Sequence, residues 1–217
     1  MNGYGRLFVG ILLAFVFSWA ALILVPLNQV GNLMPLEDQT SGDLNPPALS
    51  GLAKRGSQVY AANGCASCHT QQVRSESGGS DIARQWGARQ TVARDYLYQS
   101  NPNLGSMRLG PDLANLGVER PDLNANAGPK KKYEPASLHQ LFYAPRSIMG
   151  SSHPSYSFLY EKRAIKGVNA EGSLILPVGF ETEEGKEVVP SEDAKALVAY
   201  LLSLNRMYAL PEAPVKP

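Results

Sequence analysis

Apolar residues follow three patterns along this chain, and each pattern predicts a different element. Residues 7–25, LFVGILLAFVFSWAALILV, contain no charged side chain. A helix of that length covers about 28 Å, close to the hydrocarbon thickness of a membrane. Residues 51–64 place apolar side chains at helical spacing and stop at a glycine. Residues 190–205 repeat apolar positions at i, i+3, i+4 and i+7, which predicts an amphipathic helix with one buried face.

The first pattern predicts an uncleaved transmembrane anchor over residues 1–27. A cleaved signal peptide is one alternative, because Ser18 and Ala20 are small residues at the spacing of a cleavage site, but such signals usually have an apolar run of about 7 to 15 residues. A buried helix of a soluble protein is the other. Arg6 precedes the span and the next basic residue is Lys54, so the positive-inside rule places the N-terminus in the cytoplasm and the rest of the chain outside.

The remaining chain is predicted to be a linker over residues 28–50, a folded domain over 51–208 and a short tail over 209–217. The chain's 16 prolines and 20 glycines favour a mainly α domain with short helices and long loops. Ser191 is the expected N-cap of the last helix. The apolar face of that helix is expected to pack on the helix before the cysteines, where Gly56 is small.

Charge excludes one class of partner, because 20 basic and 19 acidic residues give a formal net charge of +1. Such a chain has no strong field with which to hold DNA or RNA, so no nucleic acid is expected. The apolar N-terminal segment points instead to membrane lipid.

Both cysteines lie in one short stretch, Cys65-Ala66-Ser67-Cys68-His69. A structural zinc site would need four ligands, and the remaining histidines are not spaced as a zinc-binding pair. A redox dithiol would need a βαβ setting, and a disulfide would close a very small ring. The C-x-x-C-H order is the pattern of covalent haem c attachment, in which both thiols bind the porphyrin and the histidine binds the iron. We therefore predict one covalent haem c.

A second axial ligand is expected for an electron carrier, and four side chains are candidates: Met107, Met149, His139 and His153. We favour Met149, because it lies in a loop bracketed by proline and glycine, late enough for the chain to wrap around the haem. His153 is the better of the two histidine alternatives. With both axial positions filled, no position remains for oxygen, so the chain is expected to transfer electrons without being catalytic on its own.

Met107 precedes Gly110-Pro111, which resembles the segment whose carbonyl accepts a hydrogen bond from Nδ1 of an iron-bound histidine. We therefore expect Pro111 to orient His69. A loop that orients His69 on one face of the haem cannot easily supply an iron ligand on the opposite face, which argues against Met107 as the second ligand.

Four segments resemble the mono-haem subunit II (FixO-like) of cbb3-type cytochrome c oxidases: GCASCHTQQVR, WGARQTVARDYLY, LGSMRLGPDLANLG and PRSIMGSSHPSYSFL. The residues from Thr70 to Arg74 are much more specific for this family than C-x-x-C-H, which occurs in c-type cytochromes in general. The resemblance implies a class I type cytochrome c fold in which Cys65 and Cys68 bind haem and His69 and Met149 ligate iron. We add Arg74 and Pro111 to the expected cofactor-binding residues.

The resemblance also implies partners and a location. The Gly105–Asp112 loop is expected to face a haem b and copper catalytic subunit, and the electron donor to be another cytochrome c subunit or a soluble protein. The implied location is the bacterial cytoplasmic membrane, with the haem domain on the outer side. Calcium is sometimes associated with that interface, and Ser106 is the candidate here.

Two segments depart from the family pattern. Residues 118–136 look inserted or diverged, with Lys130–Lys132 expected to form a solvated tip, and residues 171–189 are predicted to form an extra loop or β-hairpin. Three other functions stay open: a free membrane-tethered electron shuttle, the cytochrome c subunit of a nitric oxide reductase, and a scaffold protein whose C-x-x-C-H is accidental.

Overall fold

A long apolar helix, α1, occupies Gly3–Val30 in this computed structural model, and none of its most apolar window is buried. Its 28 residues cover about 42 Å, more than a hydrocarbon core of about 30 Å requires. The prediction of a single N-terminal apolar helix is confirmed for the described part of the chain.

α1 continues past residue 27 because its backbone accommodates Pro26. Proline lacks the N–H that the helix ladder needs, and its ring crowds the carbonyl one turn earlier. The preceding segment Ala20–Leu24 is π-helical, with the Val25 N–H donating to the Ala20 carbonyl. This wider turn relieves the crowding and lets the helix run to Val30.

The structure describes residues 3–49, 51–121 and 130–215, which divide into two compact units. The first unit comprises the chain up to Pro47 together with Val92–Ser100. It contains α1, a small ribbon of β1 (Leu36–Glu37) and β2 (Leu44–Asn45) in the expected linker, and a 3-10 turn whose Arg94 donates to the Met34 carbonyl.

The second unit is built on two helices, α2 (Gly51–Ala62) and α4 (Glu192–Ser203). They approach so closely at Gly56 that an added Cβ would lie 1.9 Å from the carbonyl oxygen of Ala196. The Ser191 hydroxyl accepts a hydrogen bond from the Ala194 N–H at 3.2 Å, which satisfies one open donor of the first turn of α4. The predicted pairing of these helices and the predicted N-cap are confirmed.

A third helix and a strand pair complete the core. α3 (Pro135–Tyr143) buries Leu138 and Phe142. β5 (Tyr160–Ala164) and β6 (Lys186–Pro190) pair antiparallel. The buried apolar cluster joins these elements to α2 and α4: Val59, Tyr60, Leu113, Leu116, Leu138, Phe142, Leu159, Tyr160, Val188, Ala194, Leu197, Val198, Tyr200, Leu201 and Leu204.

The described parts of the two divergent segments contain short strands. Residues 171–185 belong to the loop that connects β5 to β6, which is one of the two predicted alternatives. Residues 186–189 belong to β6, whose partner β5 lies outside the segment. In 118–136, β3 (Arg120–Pro121) pairs with β4 (Lys130–Lys131). Residues 122–129 and the side chains of Lys130 and Lys131 lie outside the described part, while Lys132 is exposed.

The close approach of α2 and α4 predicts that Gly56→Ala destabilises the domain by about 1 to 3 kcal/mol, because the added methyl must push the helices apart. Denaturant unfolding of the full chain in detergent measures this change. Gly10→Ala is the matched control, since its added Cβ meets no atom within 4 Å. Equal unfolding midpoints for Gly56→Ala and the control would contradict the packing described here.

His139 predicts a pH dependence of stability. Burial, with a smaller contribution from the charge of Lys195, lowers the pKa of His139 from 6.5 to about 4. Below pH 6.5 the unfolded chain therefore binds a proton that the folded chain does not, so stability falls as the pH drops from 6.5 to about 4. Protonation of the partly buried ring lowers the free energy of unfolding by about 1 to 3 kcal/mol over this pH range.

His139→Gln isolates that contribution, because an amide can still accept the hydrogen bond that Tyr160 donates to the imidazole Nδ1 at 2.9 Å. The unfolding free energy of both proteins is measured from pH 7 to pH 4, and the slope is compared rather than the absolute value. Identical slopes would show that the pKa of His139 is the same in the folded and the unfolded chain.

Candidate functional site

The cysteine motif begins where α2 ends. Gly64 adopts a left-handed conformation with φ of 67°, which stops the helix and starts a 3-10 turn over Cys65–Ser67. The N–H groups of Cys68 and His69 both donate to the Cys65 carbonyl, at 3.2 and 3.0 Å. The two thiols therefore stand one turn apart, and both are free and partly buried. Burial raises the pKa of the Cys65 thiol to about 11.

His69 is oriented by the loop that follows Met107. Its Nδ1–H donates to the Pro111 carbonyl at 2.8 Å, as expected from the sequence. This hydrogen bond makes Nε2 the basic nitrogen of the ring, and Nε2 is then the atom that can bind a metal. Gly110 lies directly against the imidazole, where a Cβ would approach Cε1 to 2.2 Å. Only glycine fits at that position.

The same loop is hydrogen-bonded along the cysteine motif. The N–H groups of Ser106, Met107 and Gly110 donate to the carbonyls of Ala66, Ser67 and Cys68 at 3.3, 3.3 and 2.9 Å. These bonds place the loop on the His69 side of the motif. Its apolar side chains point outward, and Met107 is 59% and Leu109 75% exposed.

A buried carboxylate joins this loop to the residues after His69. Asp112 accepts hydrogen bonds from the Thr70 hydroxyl, from the Gln72 N–H at 2.8 Å and from the Ala114 N–H at 2.9 Å. The interaction fixes the segment carrying Pro111 beside the one carrying His69. The sequence-based prediction missed Asp112, although its position directly after Gly110-Pro111 was a signal.

Arg74 has a structural partner in the described chain. Its guanidinium and its backbone N–H bind the buried carboxylate of Asp81, at 2.9 Å for both Nη2 and the N–H. Arg108 binds the same carboxylate at 2.7 Å. Burial alone would raise the pKa of Asp81, but the hydrogen bonds from Arg74 and the charge of Arg108 outweigh it and hold that pKa below its usual value. The expected role of Arg74 in cofactor binding stays a prediction.

The structure does not bring Met149 to His69. Met149 lies in a turn closed by a hydrogen bond from the Ser151 N–H to the Ile148 carbonyl, and its side chain is 97% exposed. The side chain that does face His69 is His153, with 6.2 Å between the two ring centroids. The role of Met149 as an iron ligand stays a prediction that rests on loop composition, and composition does not tell which of two side chains four residues apart lies beside His69.

His153 is held in an aromatic cluster at the end of α3. Its ring lies 5.7 Å from those of Phe142 and Tyr156 by centroid distance, and its Nδ1–H donates to the Pro154 carbonyl at 2.8 Å. The Tyr156 N–H donates to the Phe142 carbonyl at 2.7 Å, which fixes this loop to α3. Burial lowers the pKa of His153.

The donor set fits a covalent haem better than a bare metal ion. Two thiols on one turn, a histidine oriented by a backbone carbonyl and a cradling glycine match the needs of haem c attachment. Within residues 3–49, 51–121 and 130–215, no three His, Cys, Asp or Glu side chains group closely enough to hold a metal ion. The calcium prediction at Ser106 therefore finds no carboxylate cluster there; the Ser106 hydroxyl donates to the Ser67 carbonyl at 3.4 Å.

The chain matches the model of one known protein family. A family model described as "Cytochrome C oxidase, mono-heme subunit/FixO" matches residues 7–175, which include most of α1, the cysteine motif, the Pro111 loop and His153. No curated protein matches the chain closely enough to count as a relative. Because the family match covers more than half of the 217 residues, this chain belongs to the FixO family of mono-haem subunits of cytochrome c oxidase.

Proposed function

We propose that this chain binds one haem c through Cys65 and Cys68, with His69 as an axial ligand, and passes single electrons to the haem–copper catalytic subunit of its oxidase. The orientation of His69 by the Pro111 carbonyl, beside both thiols, is the observation that carries the proposal. Haem c supplies reversible one-electron redox chemistry when it is bound.

Each protein group has a distinct part in this function. The thiols of Cys65 and Cys68 can each add across one vinyl group, which fixes the porphyrin to the turn after α2. Pro111 holds the His69 ring in one tautomer and one orientation, and its hydrogen bond makes Nε2 more basic. The buried helices α2 and α4 supply a rigid, dry support behind the motif.

The exposed part of the Gly105–Asp112 loop supports docking to the catalytic subunit. Met107 and Leu109 expose apolar side chains next to the backbone of the cysteine motif. Two exposed apolar side chains in one short loop beside the cysteine motif are the basis for proposing a protein contact there. Contact here would bring the cofactor edge close to the acceptor, and the electron would enter from another cytochrome c subunit or a soluble donor.

The membrane topology follows from charge. Arg6 precedes the apolar run, and no Lys or Arg follows until Lys54. The positive-inside rule then leaves the N-terminus in the cytoplasm and the haem domain on the outer, periplasmic side.

A nitric oxide reductase subunit and a free shuttle are the competing functions. The FixO match favours the oxidase over the reductase.

Haem attachment is tested by the intact mass of the full chain purified from its membrane. We expect the polypeptide plus one haem, and a c-type band in the pyridine haemochrome spectrum. Cys65→Ala and Cys68→Ala should each lose one thioether bond and the double variant both, while Ser67→Ala, between them, should keep the haem. A mass equal to that of the bare polypeptide would contradict the proposed function.

Docking is tested by Leu109→Ser. Losing one large apolar side chain from a contact costs about 1.5 to 3 kcal/mol, so we expect roughly tenfold or greater weakening of association with the catalytic subunit. Co-purification of haem b and copper with the tagged subunit, and the oxygen-reduction rate, measure this. Ile175→Ser is the matched control, since Ile175 is 96% exposed in the loop between β5 and β6. Equal losses in both variants would argue against a contact at Leu109.

A further inference from the structure

The two imidazoles of the site face each other across a distance that suits a shared metal. The ring centroids of His69 and His153 are 6.2 Å apart, and the ring planes make an angle of 35°. A metal–imidazole bond is about 2.0 Å long, and the ring centre lies about 1.1 Å beyond the nitrogen. Two imidazoles bound on opposite sides of one metal ion therefore have centroids about 6 Å apart. Rings at this spacing do not stack on each other.

Both histidines carry the same orienting hydrogen bond. The Nδ1–H of His69 donates to the Pro111 carbonyl and that of His153 to the Pro154 carbonyl, each at 2.8 Å. Metal-binding histidines usually donate their second ring N–H to a carbonyl or carboxylate, because this fixes the tautomer that leaves Nε2 as the ligand atom. An ordinary aromatic contact would not require that bond in both rings.

The other candidates are placed elsewhere. Met149 is 97% exposed in its turn, and the backbone of Met107 is bound to the Ser67 carbonyl on the His69 side of the motif. The Nδ1 of His139 accepts from the Tyr160 hydroxyl at 2.9 Å. Among these four side chains, only His153 pairs with His69.

We propose that His153, rather than Met149, is the second axial ligand, so that the haem c of this chain is held by two histidines. The assignment rests on the proposed function, since it requires the haem attached at Cys65 and Cys68. A thioether ligand raises the reduction potential relative to an imidazole. The potential of this subunit is therefore lower than a His–Met site of the same exposure would have.

The test uses the full-length, haem-loaded chain in detergent and compares the wild type with His153→Met, His153→Ala and Met149→Ala. The readouts are the electron paramagnetic resonance of the ferric state, the near-infrared sulfur-to-iron charge-transfer band, carbon monoxide binding to the ferrous state and the reduction potential. Intact mass is recorded for each protein to confirm the covalent haem.

We expect the wild type and Met149→Ala to share one low-spin resonance, to lack the sulfur-to-iron band and not to bind carbon monoxide. His153→Ala should bind carbon monoxide stoichiometrically, and His153→Met should gain the sulfur-to-iron band with an upward shift in potential. A sulfur-to-iron band in the wild type that Met149→Ala abolishes would overturn the assignment while leaving the proposed function intact. A chain without covalent haem would instead overturn the proposed function itself.

His153→Met also answers the concern that His153→Ala disturbs the aromatic cluster, because methionine fills most of the imidazole's space. If His153→Met keeps the covalent haem but leaves the resonance and the potential unchanged, His153 is not a ligand and the proposal fails. Phe142→Leu, which alters a contact of the ring without removing the nitrogen, should shift the resonance without opening the iron to carbon monoxide.

Discussion

The hydrogen bond from His69 Nδ1 to the Pro111 carbonyl is the interaction on which the rest of the site depends. It selects the tautomer in which Nε2 can bind iron, and it requires the Pro111 backbone to lie against the imidazole. That closeness explains Gly110, where any side chain would overlap the ring. It also explains the buried Asp112 carboxylate, whose bonds to Thr70 and Gln72 fix the two backbone segments at the necessary separation.

The helical core extends this constraint to the whole second unit. Tyr200 of α4 packs edge-on against Tyr60 of α2, with ring centroids 5.6 Å apart. Its hydroxyl donates to the Gln71 side chain at 2.8 Å and accepts from the Asn103 amide at 3.2 Å. One tyrosine thus connects the helix crossing at Gly56 with the segments that follow His69 and precede Gly105. Hydrogen bonds therefore join the packed helices to the loops on either side of the site.

Local patterns made part of this arrangement predictable from the sequence. The cysteine motif, the Ser191 cap, the apolar face of α4 and the Pro111 contact each depend on residues close in the chain or on one familiar pairing. The Asp81 carboxylate between Arg74 and Arg108 could not be predicted, because it joins residues up to 27 positions apart within irregular loops. The pairing of β6 could not be predicted either, because its partner strand β5 lies outside the divergent segment. Nor could the continuation of α1 past Pro26, which depends on a π-helical turn.

Met149 and His153 differ in how the loop that carries them is held. His69 is covalently tied to the cysteine turn, whereas a distal ligand is positioned only by the loop that carries it. Here the Tyr156 N–H is bound to the Phe142 carbonyl, so the chain just after His153 is fixed to the end of α3, and the ring is enclosed by two aromatic side chains. Met149 lies before this attachment, in a turn whose Gly150 has a φ of 74°. Met149 is 97% exposed in that turn, whereas the ring of His153 lies 6.2 Å from that of His69 by centroid distance.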